Sequence, residues 1–318
     1  MSTHSPIKAV YLSETLDLQA LYGSALGAHE ADVIADLPEA ISAPEEVRLA
    51  ICWLPGQADF ARYPNLEVVM SIGAGVDALL ANPGIPSELQ IARVRDPHQA
   101  ALMAGFAAHE VLLRTRDFAA LAESAARAEW TPLPMQAPEE TVVAVLGDGT
   151  MGRAVSNALH HLGFTVHIAR RSAPNDPHPG CQYFTGPQAS AAAAKGAHFL
   201  INVLPLTPET ENVLNSALFA QLAPGAWLIQ IGRGQHLVEE DLSAALETGQ
   251  LAGATLDVFR QEPLPPEHPF WHDPRLRITP HIASDSLPGV VAAQIAQTAR
   301  EIGEGTPLTL GVSRDQGY

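Results

Sequence analysis

The sequence predicts an α/β fold built on parallel sheet, and three observations carry that prediction. Short aliphatic runs alternate with helix-like stretches along the whole chain. The runs are near-continuous Val, Ile and Leu, the composition of strands covered on both faces. A glycine-rich turn from Gly147 to Gly152 joins one run to a helix-like stretch. Strands that alternate with helices pair in parallel through helical crossovers.

The first strands are expected at residues 8–12, 49–53 and 68–72, with helix-like sequence between them, as at 17–26. An Ala-rich stretch at 100–127 follows Asp96-Pro97-His98 and carries Leu102, Phe106 and Leu113 at helical spacing. It predicts one long linking helix. Prolines at 132, 134 and 138 end that helix before the next strand. The alternation then becomes regular. Strands are expected at 141–146, 165–169, 198–203, 226–231 and 254–258, with helices at 151–162 and 189–194. Residues 263–274 form a proline-dense loop, and a short run at 277–279 follows it.

Composition narrows the function. The chain has 318 residues, 18 Lys+Arg against 35 Asp+Glu and a formal net charge of −17. That length suits about two domains, each able to hold a core without metal or disulfide. The acidity argues against a nucleic-acid or anionic-membrane surface. Cys52 and Cys181 are too few and too far apart for a disulfide framework or a CxxC motif. The longest apolar stretch, 100–113, is interrupted by His109 and Glu110, so no membrane span is expected. Residues 1–8 are polar and lack a signal-like apolar segment. These features predict a cytoplasmic protein. No His/Cys/Asp/Glu group has zinc-like spacing, and the adjacent His160 and His161 cannot share one helix face, so no metal is expected.

Gly147-Asp148-Gly149-Thr150-Met151-Gly152 matches GxGxxG in its diagnostic context, after a strand and opening a helix. Glycines let backbone N–H groups approach a pyrophosphate, and the helix N-terminus adds partial positive charge. Asp148 departs from this logic, because a carboxylate in the loop opposes a phosphate unless it points away. The next strand ends in Arg170-Arg171-Ser172, where NAD sites place an acidic residue for the ribose 2′-hydroxyl. Two guanidiniums and a hydroxyl suit a 2′-phosphate, so NADP(H) is the expected cofactor and NAD(H) the second choice.

Three later segments carry candidate chemistry. Arg233 lies between Gly232 and Gly234 at a strand end, Glu262 opens a proline loop, and His281 follows Thr279-Pro280. Ligands of open α/β sheets bind outside the carboxyl ends of the strands. An Arg, Glu and His gathered there could bind an anion, orient an imidazole and transfer a proton.

Together these segments resemble the D-isomer-specific 2-hydroxyacid dehydrogenase family. The resemblance runs through Ser71-Ile72-Gly73-Ala74-Gly75-Val76-Asp77, the Gly147–Gly152 loop, residues 204–208, 231–234, 256–259, 262–265 and 279–283. Trp53, Arg170-Arg171-Ser172, Pro269-Phe270-Trp271 and the terminal Gly317-Tyr318 make it most like the glyoxylate/hydroxypyruvate reductase A group.

The resemblance implies two Rossmann-like, doubly wound parallel-sheet domains with a cleft between them. Residues 1–99 and 284–318 would form a discontinuous, flavodoxin-like substrate domain, and 100–283 the NAD(P)-binding domain. It implies NADPH-dependent reduction of a small 2-oxo acid to the 2-hydroxy acid. His281 would donate the proton, Glu262 would hold its other ring nitrogen and favour the charged ring, and Arg233 would bind the carboxylate. Trp53 and the backbone N–H groups of Ala74 and Gly75 would contact substrate. Leu204, Pro205, Ile231, Gly232, Asp257 and Ala283 would line the cofactor site with the glycine loop. A homodimer through the 100–127 region is also implied. Two other readings stay open. One is the same chemistry on a different or bulkier 2-hydroxy acid with NAD(H). The other is a catalytically silent nucleotide sensor, against which the intact Arg233, Glu262 and His281 argue.

Overall fold

The computed structural model describes residues 5–314, which divide into two compact units, 5–98 with 285–314, and 99–284. The strands expected from the aliphatic runs are present, displaced at their ends by no more than three residues.

The first unit contains a six-stranded sheet in the order β13-β5-β4-β3-β1-β2. Its strands are β1 (Ile7–Ser13), β2 (Val33–Asp36), β3 (Val47–Trp53), β4 (Val68–Ser71), β5 (Gln90–Arg93) and β13 (Gly311–Val312). All pairs are parallel except β13 with β5. The parallel part has the flavodoxin-like order, which reverses between β1 and β3. One face is covered by α1 (Leu18–Leu26) and α9 (Pro288–Glu304), with Ala9, Tyr11, Leu49 and Ile51 meeting Leu18, Tyr22, Val291 and Ile295. The alternate residues Val10, Leu12, Ala50 and Cys52 pack on Phe60, Tyr63 and Leu79 behind the sheet. The C-terminal helix therefore completes the N-terminal core. Asp96 helps to fix it there: its carboxylate accepts the N–H of Leu287 at 2.9 Å and that of His98 at 2.8 Å.

The second unit contains a seven-stranded, wholly parallel sheet in the order β12-β11-β10-β9-β6-β7-β8. Its strands are β6 (Val142–Leu146), β7 (Thr165–Arg170), β8 (Gln182–Thr185), β9 (Phe199–Asn202), β10 (Ala226–Gln230), β11 (Leu251–Leu256) and β12 (Leu276–Ile278). This is the Rossmann order, with its reversal between β6 and β9. Leu200, Leu228 and Leu256 face a core with Phe219 and Leu242, from α7 (Ser216–Phe219) and α8 (Glu239–Glu247). On the other face Phe199, Ile201 and Ile229 meet Val155 and Leu159 of α5 (Thr150–His161). Strands buried on both faces cannot show polar alternation, hence their aliphatic runs. The helix expected at 189–194 is α6 (Ala189–Ala194).

The Ala-rich stretch is not one helix. It forms α3 (Pro97–Thr115) and α4 (Phe118–Ala126), separated at Asp117, whose φ is 46°. Asp is among the few residues that tolerate this left-handed conformation, and its side chain accepts the N–H of Ala120, so it caps α4. The inward face of α3 also differs from the expected one. Ala104, Ala107, Glu110 and Val111 are buried, whereas Leu102 is exposed.

Glu110 is a fully buried carboxylate beside Ala107 and Val111 on the inward face of α3. It accepts the Thr255 hydroxyl at 2.7 Å and the Arg277 Nε–H at 3.0 Å, and the His109 ring lies 2.8 Å away. Buried charge persists only with such partners. The contact with Arg277 anchors β12, which leads directly to Thr279 and His281.

Candidate active site

The glycine loop follows β6 at the point where the strand order reverses, the place where doubly wound sheets bind ligands. Gly147 has φ 112°, and a Cβ on Gly152 would sit 2.1 Å from the Gly147 carbonyl oxygen. Any side chain at position 152 would push the helix off the loop. A Cβ on Gly149 would meet nothing within 4 Å, so the backbone there is open to approach. Gly149 is the N-cap of α5, and Thr150 and Met151 begin its first turn. This arrangement fits a dinucleotide pyrophosphate: unobstructed backbone, glycine where contact is closest, and a helix N-terminus.

Asp148 turns toward the end of β7. Its Oδ2 lies 2.7 Å from Arg170 Nη1 and 3.6 Å from Arg153 Nη2. The side chain is only 2% exposed, and Oδ1 is buried without a hydrogen-bond partner. Arg170 is thus already ion-paired. Arg171 and Ser172 are exposed, and the charge of Arg171 is felt at Glu209. His160 is half-buried, with its ring centroid 5.0 Å from that of His178. Among the described residues no group of three or more His, Cys, Asp or Glu could hold a metal ion.

The expected Arg, Glu and His come together. His281 Nδ1 lies 2.8 Å from Glu262 Oε2, and Glu262 Oε1 accepts the N–H of Phe259 at 2.9 Å. Burial pushes the Glu262 carboxyl up, but the His281 bond and charge, the Phe259 amide and the Arg233 charge bring it below its ordinary value. Glu262 therefore carries its negative charge at neutral pH. The influence of Arg233 follows from close packing: a Cβ on Gly234 would lie 1.9 Å from the Phe259 carbonyl carbon. The glycine after Arg233 lets its loop press against the segment that carries Glu262.

Asp257 organises the histidine turn. It is 1% exposed, and burial raises its carboxyl above the usual range. Oδ1 accepts the Thr279 hydroxyl at 2.6 Å and the Ile282 N–H at 2.9 Å, while Oδ2 accepts the Ala283 N–H at 2.9 Å. The N–H of His281 donates to the Asp257 carbonyl at 2.9 Å. His281 itself has φ 54°, a conformation costly for a non-glycine residue and maintained by this surrounding network. Both carboxylate oxygens of Asp257 thus serve the turn.

A second network has no counterpart in the sequence reading. Asn202, Gln230 and His236 are fully buried polar residues in an aliphatic sheet. Asn202 Nδ2 donates to Gln230 Oε1 and to His236 Nδ1, both at 2.8 Å. Gln230 donates to the Arg233 carbonyl at 2.8 Å, and the Arg233 N–H donates to His236 Nδ1 at 3.1 Å. His236 Nε2 lies 3.3 Å from the Pro205 carbonyl, and Asn202 Oδ1 accepts the Leu204 N–H at 3.3 Å. The trio ties Leu204, Pro205 and Gly232 to the arginine loop. Ile231 and Ala283 are buried beside it, in one apolar cluster. The signal was present but faint: β9 and β10 each end in an amide residue after aliphatics.

In the first unit, Trp53 ends β3 and its ring packs on Gly73. Ser71 shapes the neighbouring loop, donating to the Gly75 carbonyl at 2.9 Å and accepting the Gly73 N–H at 3.2 Å. Arg93, absent from the sequence reading, donates to the Ala74 carbonyl at 3.1 Å. Trp53, Ala74 and Gly75 thus occur at the carboxyl ends of adjacent parallel strands. Trp271 is half-exposed, and its indole N–H donates to the Pro265 carbonyl at 2.9 Å.

Comparison with known proteins decides the family. Residues 109–283 match the family model described as D-isomer specific 2-hydroxyacid dehydrogenase, NAD binding domain. The chain belongs to this family. It is an oxidoreductase by that membership. It is 44% identical over 252 residues to a glyoxylate/hydroxypyruvate reductase A of Serratia proteamaculans, covering 78% of this chain and 80% of that one. A family member from Xanthobacter autotrophicus Py2, solved with NADPH and MES, superposes with a TM-score of 0.88 at 35% identity, covering 99% of this chain and 100% of that one. An NADPH-dependent glyoxylate/hydroxypyruvate reductase of Sinorhizobium meliloti, solved with NADP and sulfate, gives 0.88 at 29% identity and the same coverage. Among the described residues no helix is long and apolar enough to cross a membrane.

Proposed function

We propose that the protein reduces a small 2-oxo acid, of the glyoxylate and hydroxypyruvate class, to its 2-hydroxy acid with NADPH. The observation that carries this reading is the His281–Glu262 pair at 2.8 Å, with the charge of Arg233 acting on the same carboxylate. Arg233 pairs with the substrate carboxylate by charge-assisted hydrogen bonds. His281 delivers a proton to the carbonyl oxygen as negative charge develops there. Glu262 holds the opposite ring nitrogen and stabilises the imidazolium before transfer. Asp257 keeps the turn in register. Trp53 and the N–H groups of Ala74 and Gly75 serve as further substrate contacts.

The cofactor supplies the hydride. The residues proposed to hold it are Gly147, Gly149, Thr150, Met151 and Gly152 for the pyrophosphate, with Arg170, Arg171 and Ser172 at the 2′-phosphate. Leu204, Pro205, Ile231, Gly232, Asp257 and Ala283 stand toward the nicotinamide end. The names of the two reductase relatives support the substrate class, and the two complexes with NADPH or NADP support the cofactor. NAD(H) stays the second choice. The exposed side chains of Leu102, Phe118, Leu121, Trp130 and Met135 support a homodimer through the region of α3 and α4. The unpaired thiols Cys52 and Cys181 suit a reducing, cytoplasmic setting.

His281→Ala tests the reading. Turnover of glyoxylate should fall by about two to four orders of magnitude, while NADPH still binds with unchanged affinity. Turnover within threefold of the parent would refute the assignment of the proton donor.

A further inference from the structure

Asp148 is a charged side chain in an unusual place. It occupies the second position of the glycine loop, and its carboxylate is 2% exposed. One oxygen is 2.7 Å from Arg170, the last residue of β7. The other is buried and has no hydrogen-bond partner. Leaving a buried acceptor unpaired is costly, so an orphaned carboxylate oxygen calls for an explanation. The loop is tied to the same strand end, because the Gly147 N–H donates to the Ala169 carbonyl at 3.0 Å. In this fold the end of the second strand is where the 2′-substituent of the adenosine ribose is read.

We propose that Asp148 sets the discrimination between the two nicotinamide cofactors, and lowers it. The inference rests on the reading that the glycine loop holds a nicotinamide dinucleotide. Arg170 is the natural ligand of a 2′-phosphate, but its guanidinium is shared with Asp148. The carboxylate also repels the phosphate dianion directly. A 2′-hydroxyl meets the opposite situation, because it donates a hydrogen bond and the unpaired Asp148 oxygen can accept it. Asp148 thus does from the glycine loop what an acidic residue at the strand end does in NAD-specific sites. Arg171 and Arg153 keep the region cationic enough for NADPH. The enzyme accordingly uses both cofactors, with a milder preference for NADPH than its Arg170-Arg171-Ser172 run implies.

The test is equilibrium titration of NADPH and NADH by fluorescence, without 2-oxo acid, on the parent and on Asp148→Asn. Asn keeps the shape, removes the charge and leaves Arg170 to the phosphate. NADPH should bind about tenfold tighter, the gain expected for one charge-assisted hydrogen bond. NADH should bind the same or a few-fold more weakly. The NADPH affinity of the variant should also fall more steeply with salt. A merely structural role would weaken both cofactors together and leave their ratio unchanged, which overturns the proposal. An unchanged ratio in a parent that binds both cofactors overturns this inference alone. A parent that binds neither overturns the cofactor reading with it. Should Asp148→Asn fold poorly, Asp148→Ser applies the same criterion.

Discussion

Asp257→Ala removes the centre of the histidine turn, and its cost can be worked from the contacts. Three donors lose their acceptor: the Thr279 hydroxyl and the N–H groups of Ile282 and Ala283. A buried donor left unpaired costs about 1–3 kcal/mol, so three give a ceiling of about 9 kcal/mol. Two effects reduce it. The Thr279 hydroxyl can rotate to another acceptor, and water can enter the space vacated by the carboxylate. Burial also disfavours the Asp257 charge, raising its carboxyl, so the parent residue is held at a cost that the variant does not bear. The expected loss is about 3–5 kcal/mol, in line with breaking a buried polar network. Urea unfolding followed by tryptophan fluorescence measures it, because Trp227 lies in the same unit as the turn. The turnover number should fall by about a hundredfold, since a displacement of about 1 Å at the proton donor is that costly. Asp257→Asn keeps one acceptor and should lose about 1–2 kcal/mol. An alanine variant that loses less than about 1 kcal/mol, with turnover within threefold of the parent, would refute the reasoning.

Three further outcomes follow. Gly152→Ala places a methyl group 2.1 Å from the Gly147 oxygen, so the loop must move; NADPH affinity should drop at least tenfold by titration while glyoxylate KM changes little. Stability should fall with acid, because Asp96, Glu262 and Glu301 have carboxyls below their ordinary values. In each, burial acts upward and hydrogen bonds and nearby charges outweigh it. A lowered folded pKa stabilises the fold above the unfolded value and loses that contribution as pH falls through the folded one. Asp257, raised by burial, acts in the opposite sense. The Tm should therefore hold steady down to about pH 5 and decline below about pH 4; a Tm that rises between pH 5 and 3 would contradict this. Finally, Phe118→Glu with Leu121→Glu should convert a dimer into a monomer by light scattering, since both side chains are exposed on α4; a parent that is already monomeric would refute the dimer.

The sequence conveyed the parts of the site whose residues are confined by backbone geometry. Gly147 and Gly152 can be read because no other residue fits, and Arg233 because Gly234 lets its loop pack against Phe259 while Gly232 fits against Asn202 and His236. His281 and Glu262 were found through the wording of their segments; spacing alone does not bring residues 19 apart within 2.8 Å. Asn202, Gln230 and His236 were missed because their role exists only once parallel pairing sets strand ends side by side. The direction of Asp148 was equally hidden, since it depends on where β7 ends. Short edge strands were also lost. β2, β8 and β13 span four residues or fewer, and apart from the buried Val33 their residues are exposed or half-buried, too little for a periodic signal. On α3 the pattern misled, because alanines face the sheet and Leu102 faces out. Small residues allow helix and sheet to approach closely, a packing requirement that hydrophobicity does not report.

The central claim is that this constellation reduces a small 2-oxo acid at the expense of a nicotinamide cofactor. Initial rates of NADPH and NADH oxidation with glyoxylate and with hydroxypyruvate, run side by side, test it most directly. The account predicts rapid turnover of at least one acid with NADPH and slower, measurable turnover with NADH. No oxidation of either cofactor by either acid would contradict it.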